Sequence, residues 1–209
     1  MAEEKRFAKE REKIESFSDF SNVYNFKKDF KYSYKTDAGL TEEIVREISA
    51  QKDEPEWMLQ ARLKSLELFY KIDYPTWGPD ISELQMDNIV TYVRPDAGLK
   101  ADWNEVPEDI KDTFDRLGIP EAEKTSLAGV GAQYDSEVVY HSIQEELVKQ
   151  GVVYTDFDTA LKEHEDIVRK HFMKLIPPTD HKFAALHGAV WSGGSFVYVP
   201  EGVQVVISV

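Results

Sequence analysis

The segment SGGSFVYVPEGVQVVISV, residues 192–209, constrains the fold more than any other stretch of the chain. Phe196–Val199 is a run of apolar, β-prone residues. After a Pro200–Glu201–Gly202 turn, Val203, Val205, Ile207 and Val209 fall on one side of a strict alternation. Two strands three residues apart suit either a hairpin or the tight corner of a parallel β-helix, where short strands follow one another without an intervening helix. A strand that alternates so cleanly needs a neighbour to bury its face and fill its hydrogen-bond ladder. With no partner strand following it in sequence, the segment is expected to fray, or to pair between molecules, when the chain is on its own.

What precedes it reads as helical. Thr41 is placed to cap a short helix whose stripe is Ile44, Val45 and Ile48. A second helix starts at Pro55 and carries Leu59, Leu63, Leu66 and Tyr70 at helical spacing, ending before Pro75 and Gly78–Pro79. Ile89 to Val93 is a single strand candidate in a connecting region. "PEDIKDTFDRLGIP" is a self-terminated helix with Ile110, Phe114 and Leu117 on one face, Gly118 at its end and Pro120 beyond. "EVVYHSIQEELVKQ", residues 137–150, is expected to be helical through Val139, Tyr140, Ile143 and Leu147. Asp158 is expected to cap one further helix running to Pro177–Pro178, and "FAALHGAVW" to form a last helical piece. Before all of these, Tyr24, Phe26, Phe30, Tyr32 and Tyr34 have the even spacing of an extended strip.

The chain's 209 residues are 42% hydrophobic and 12% aromatic, enough to fill a core. Its 39 acidic against 25 basic residues give a formal charge of −14, which repels phosphate backbones and anionic lipid. The lysine clusters at Lys5–Lys13 and Lys27–Lys31 are short or interleaved with acids and read as solvated faces. There is no cysteine, so this stretch has no disulfide framework, cysteine nucleophile, zinc ribbon or thiolate-held iron–sulfur cluster. No apolar run approaches the roughly 18 residues of a membrane span, and a cytoplasmic protein is expected.

Candidate sites fail on spacing. "HEDIVRKH" pairs His164 with Glu165, but the zinc-hydrolase pattern needs a second histidine one turn on, where Val168 stands. His171 is seven residues away, about 10.5 Å along a helix at 1.5 Å per residue. Gly129 and Gly131 suggest a phosphate loop, but Tyr134 occupies the third glycine position; the glycines are read as a tight turn before an Asp135 or Ser136 cap. "WSGGSF" lacks the spacing of a serine-hydrolase elbow. His187, beside Gly188 at the entrance to the strand-like part, would suit proton transfer or metal binding, yet has no identifiable second ligand and is read as a buried or capping histidine. No residue is assigned a catalytic, cofactor-binding or metal-ligating role.

Five long strings lie in one order: "KTDAGLTEEIVREISAQKDEPEWMLQARLKSLELF", "PTWGPDISEL", "VPEDIKDTFDRLGIPEAE", "LAGVGAQYDSEVVYHSIQEELVKQGVVYTDFDTALKEHEDIVRKHF" and "KFAALHGAVWSGGSFVYVPEGVQV". Together they closely resemble the N-terminal portion of the SufB family, the scaffold subunit of the Suf iron–sulfur assembly machinery, from about Tyr24 to Val205. The resemblance implies an α+β chain: a charged and aromatic extension over 1–38, a helical domain over 39–182, and the start of a right-handed parallel β-helix over 183–209. It implies partners, a SufC-like ATPase, a SufD-like subunit and a cysteine desulfurase or sulfur carrier, and a non-catalytic role in building a nascent cluster. The family's sulfur-handling cysteines and ATPase-docking segment match positions beyond Val209, so none is carried over and no cofactor is expected on this stretch. Two other readings compete: the N-terminal cap of a β-helix polysaccharide-active enzyme, which requires a carboxylate or basic cluster on one sheet face, and a stand-alone interaction module, which requires a cooperatively folded monomer.

Overall fold

The structure, a computed structural model, describes residues 32–96, 103–108, 110–112, 129–134, 136–143 and 145–205. The lysine clusters, Tyr24, Phe26, Phe30, Asp135, most of the helix expected at "PEDIKDTFDRLGIP", and Ile207 and Val209 lie outside these residues.

The chain is a mixed helix and sheet protein built on three helices that share a core. Helix α1 (Glu42–Gln51) begins where Thr41 accepts the Ile44 N–H at 3.3 Å, with Glu42 and Glu43 in its first turn. Its Ile44, Val45 and Ile48 are buried, as their spacing predicts. Helix α2 (Glu56–Lys71) follows Pro55, whose fixed φ of −66° suits the entry. The stripe read from its leucines is rotated, however: the buried residues are Met58, Arg62, Ser65, Leu66 and Phe69, while Tyr70 is exposed. Against α2 lies the later helix Lys182–Val190, here α6, with Leu40, Val45, Leu66, Phe69, Ala185 and Ala189 forming one apolar cluster. The "FAALHGAVW" segment is thus helical, as its spacing suggests. A second cluster joins Met58 to Ala160, Leu161, Val168 and Trp191.

The expected helix over 137–150 is a correction. Glu137–Ile143 is strand β4, hydrogen-bonded antiparallel to β3 (Gly129–Tyr134), and only Glu145–Lys149 is helical, as α3. Val138, Val139, Tyr140 and Ile143 are β-branched or aromatic, and such residues favour a pleated surface once a partner strand exists. Gly129 and Gly131 therefore lie within a strand, and the turn holds Ser136; they do not precede a helix.

The long helix expected to start at an Asp158 cap is also revised. β5 (Val153–Asp156) runs into α4 (Phe157–Glu163), capped by Asp156, whose side chain accepts the Thr159 N–H at 2.9 Å and the Thr159 hydroxyl proton at 2.6 Å. His164 breaks the helix with a non-helical backbone, φ −130° and ψ 33°, and α5 (Glu165–His171) resumes before ending well short of Pro177–Pro178. Leu161 of α4 and Val168 of α5 both enter the second cluster.

β1 (Tyr32–Lys35) bears out the extended strip at Tyr32 and Tyr34, pairing antiparallel with β2 (Val93–Pro95). The strand expected at Ile89–Val93 is reduced to a bridge, Ala38 with Val90, ahead of β2. β6 (Ser195–Tyr198) is a strand as predicted, and its partner lies upstream: it pairs antiparallel with β5, Asp156 opposite Ser195 and Val153 opposite Tyr198. β6 thus has a neighbour supplied from earlier in the chain; the second strand expected after the turn is not formed over 203–205, and the rest of it lies outside the described residues. Val203 and Val205 pack on Leu147 and Val152.

Candidate functional site

Two places gather the chemistry-bearing side chains. The first is a buried ionic node. Lys52, at the C-terminal end of α1 and almost fully buried, places its ammonium 2.6 Å from Asp158 Oδ2 and 3.4 Å from Glu137 Oε1. Glu137 in turn accepts the hydroxyl proton of the buried Tyr92. Burial pushes the Tyr92 phenol up, and the Glu137 carboxylate adds to this. Burial likewise raises the Asp158 carboxyl, and together with the Glu137 and Asp156 carboxylates it outweighs the Lys52 ammonium, which lowers it. Each charge is spent on a structural neighbour, and the node joins α1, the segment before β2, β4 and α4.

The second is a cleft of about 530 Å³ between residues 171–176, which leave α5, and the first turns of α6. His171, His181 and His187 line it, with Phe172, Phe183 and Ile176 among the apolar walls. His181 caps α6: its Nδ1 accepts the N–H groups of Phe183 at 3.1 Å and Ala184 at 3.2 Å. An accepting Nδ1 leaves the ring proton at Nε2, 3.7 Å from Asp180 Oδ2. Trp77 packs edge-on to His181, and Tyr74 lies against Phe183.

The residues singled out by sequence are dispersed. His164 stacks on Phe196 of β6, while His171 opens into the cleft, so the helix break turns the two apart. Glu165 pairs with Arg169 at 2.9 Å, and Val168 is core. His187 is exposed on the cleft and does not fill the buried or capping role expected of it, which belongs to His181. Among the described residues no group of three or more histidine, aspartate or glutamate side chains is arranged to hold a metal ion. Sequence reasoning missed His181, Arg62 and Lys182. Only the position of His181 just ahead of an apolar helix signals its cap; the two buried cations carry no such mark.

What the fold defines, among the described residues, is a helical packing body with a small-sheet flank, buried ionic groups paired with one another and an apolar cleft turned outward. The chain belongs to the SufB family, as its N-terminal portion: the family described as "SufBD protein N-terminal region" matches residues 40–209. It is 60% identical over 172 residues to the iron–sulfur cluster assembly protein SufB of Bacillus subtilis (strain 168), covering 82% of this chain and 37% of that protein. It is 55% identical over 181 residues to an iron–sulfur cluster assembly SufBD family protein of Staphylococcus aureus (strain USA300), covering 87% of this chain and 39% of the relative. The chain thus spans less than half the length of these relatives.

Proposed function

We propose that this chain is the N-terminal, non-catalytic part of a scaffold for iron–sulfur cluster assembly. The observation that carries the reading is the match over residues 40–209, together with 60% identity to a protein named for that process. On this reading the helical body over 39–182 supports a right-handed parallel β-helix that opens at 183–209, with β6 as an early strand. The extension over 1–38 lies ahead of both. The whole scaffold works in the cytoplasm with a SufC-like ATPase and a SufD-like subunit, and receives sulfur from a cysteine desulfurase or carrier. Among the described residues no helix is long and apolar enough to cross a membrane, which agrees with that setting. The nascent cluster is cargo of the assembled complex; this stretch contributes packing and docking surface, having no thiolate to offer.

A chimera tests it. The matched 172-residue segment of the Bacillus subtilis relative is replaced by that of this chain in cells depleted of the native protein. The expected result is restored activity of iron–sulfur dehydratases. A folded, soluble chimera that leaves those enzymes inactive, where the native segment restores them, overturns the reading.

A further inference from the structure

The β3–β4 hairpin is held to the helical body differently at its two ends. Far from the turn, Ile143 of β4 packs with Leu147 and Val152, an apolar contact. At the tip the contacts are polar. Ser136 and Val93 exchange two hydrogen bonds, the Val93 N–H to Ser136 Oγ at 3.1 Å and the Ser136 N–H to the Val93 carbonyl at 3.3 Å. Glu137 reaches past them into the interior, accepts the Tyr92 hydroxyl proton and stands 3.4 Å from the Lys52 ammonium. The end of the Gln133 side chain lies over Gly193, in space that a Cβ there would fill.

The charges at this tip do not balance. Lys52 and Asp158, 2.6 Å apart, already form an ion pair within the helical body, so Glu137 brings a second carboxylate to one ammonium. Its charge opposes the ionised form of Asp158. With the hairpin lifted away, Lys52 keeps its nearer partner and Glu137 regains water. Breaking a buried ion pair ordinarily leaves a stranded interior charge; here the outer carboxylate can leave without doing so.

We propose that the β3–β4 hairpin is a strap latched at its tip by Glu137, which opens as a unit while the helices beneath it stay folded. Ile143 is the end about which it turns. Opening uncovers the Lys52 ammonium and Tyr92, both buried when it is closed. Asp158 sets the latch from the other side, by dividing the ammonium between two carboxylates. A two-stranded hairpin is marginal by itself in water, so its ladder exchanges with solvent once undocked. None of this depends on the assembly role.

Hydrogen–deuterium exchange on the full chain, read peptide by peptide, tests the strap. Amides of β3 and β4 are expected to exchange faster than those of α1 and α2. Tyr92→Phe removes one hydroxyl and Glu137→Ala the latch itself. Each should speed strap exchange by roughly tenfold, as befits a lost hydrogen bond to a charged group, with α1 and α2 unchanged. Asp158→Asn should act in the opposite sense and slow strap exchange by roughly threefold or more, because Lys52 is then left to Glu137 as its carboxylate partner. A tip contact that only adds stability to the whole fold would not give these opposite signs. Strap amides that exchange in step with the helices in wild type, a strap indifferent to both Tyr92→Phe and Glu137→Ala, or an Asp158→Asn variant whose strap exchanges faster overturns the proposal. So does a Glu137→Ala variant that loosens α1 and α2 as much as the strap, which would make the tip part of one cooperative core.

Discussion

Arg62 is fully buried in the middle of α2, where a hydrophobic stripe would ordinarily place leucine. Its guanidinium forks onto the Glu54 carboxylate, Nε to Oε2 at 2.7 Å and Nη2 to Oε1 at 2.5 Å. The remaining nitrogen donates to the Ala189 carbonyl at 3.1 Å, and the Trp191 ring covers the group at 4.4 Å. The planar fork therefore ties α2 to the chain before it and to the end of α6. A lysine is a point charge on a flexible stem and cannot reproduce the fork. Arg62→Ala leaves Glu54, itself buried, as an unpaired interior charge, and is expected to cost about 3–5 kcal/mol in urea denaturation. Arg62→Lys is expected to lose part of the same stability. A near-neutral result for the alanine variant would show that Glu54 finds water or neutralises without strain.

Elements approach one another closely where a side chain is absent. A methyl group at Gly188 of α6 would come within 2.8 Å of Ser65 Cβ on α2 and 3.3 Å of Pro178 Cγ. Gly188→Ala is therefore expected to destabilise the protein by roughly 1–3 kcal/mol through overpacking. Adding Ser65→Gly should recover part of the loss despite the helix cost of glycine, and a double-mutant cycle measures that coupling. If the two effects simply add, the helices are not held at this distance by the glycine. Elements of this kind were partly legible in the sequence. The Thr41 cap, the stripe of α1, the span of α6 and strand β6 follow from local spacing and capping chemistry. The β3–β4 pair does not, because residues 137–143 fit a helical stripe and a strand almost equally well; a partner strand remote from local spacing decides between them. The break at His164 is equally silent, since no proline or glycine between residues 157 and 171 marks it. Of the candidate cleft, His187 and His171 were visible as residues, but the turn that sets them around one opening depends on packing between elements distant in sequence.

At the scale of the whole molecule, the node around Lys52 links segments that local contacts leave separate: α1, Tyr92 ahead of β2, Glu137 of β4 and Asp158 of α4. The charges facing Asp158 are the Lys52 ammonium, which favours its ionised form, and the Glu137 and Asp156 carboxylates, which oppose it together with burial. The opposing effects win, and the Asp158 carboxyl lies above its ordinary 3.8 in the folded protein. A raised acid binds more protons folded than unfolded, so its contribution to stability is greatest below 3.8 and declines as pH rises toward the folded value. Ionised Asp158 nevertheless keeps Lys52 paired at 2.6 Å, and Asp158→Asn leaves that ammonium with Glu137 as its carboxylate partner at 3.4 Å. Because burial and the two carboxylates outweigh that pairing, the variant, which keeps the shape of the protonated carboxyl, is expected to be at least as stable as wild type at neutral pH while lacking this carboxyl's titration. Subtracting the variant's stability-versus-pH curve from that of wild type should give a difference that falls as pH rises from 3.8 through the folded pKa and then levels. Chemical denaturation across that window measures it. A difference that climbs with pH would mean that Lys52 outweighs burial and that the node behaves as an ordinary salt bridge.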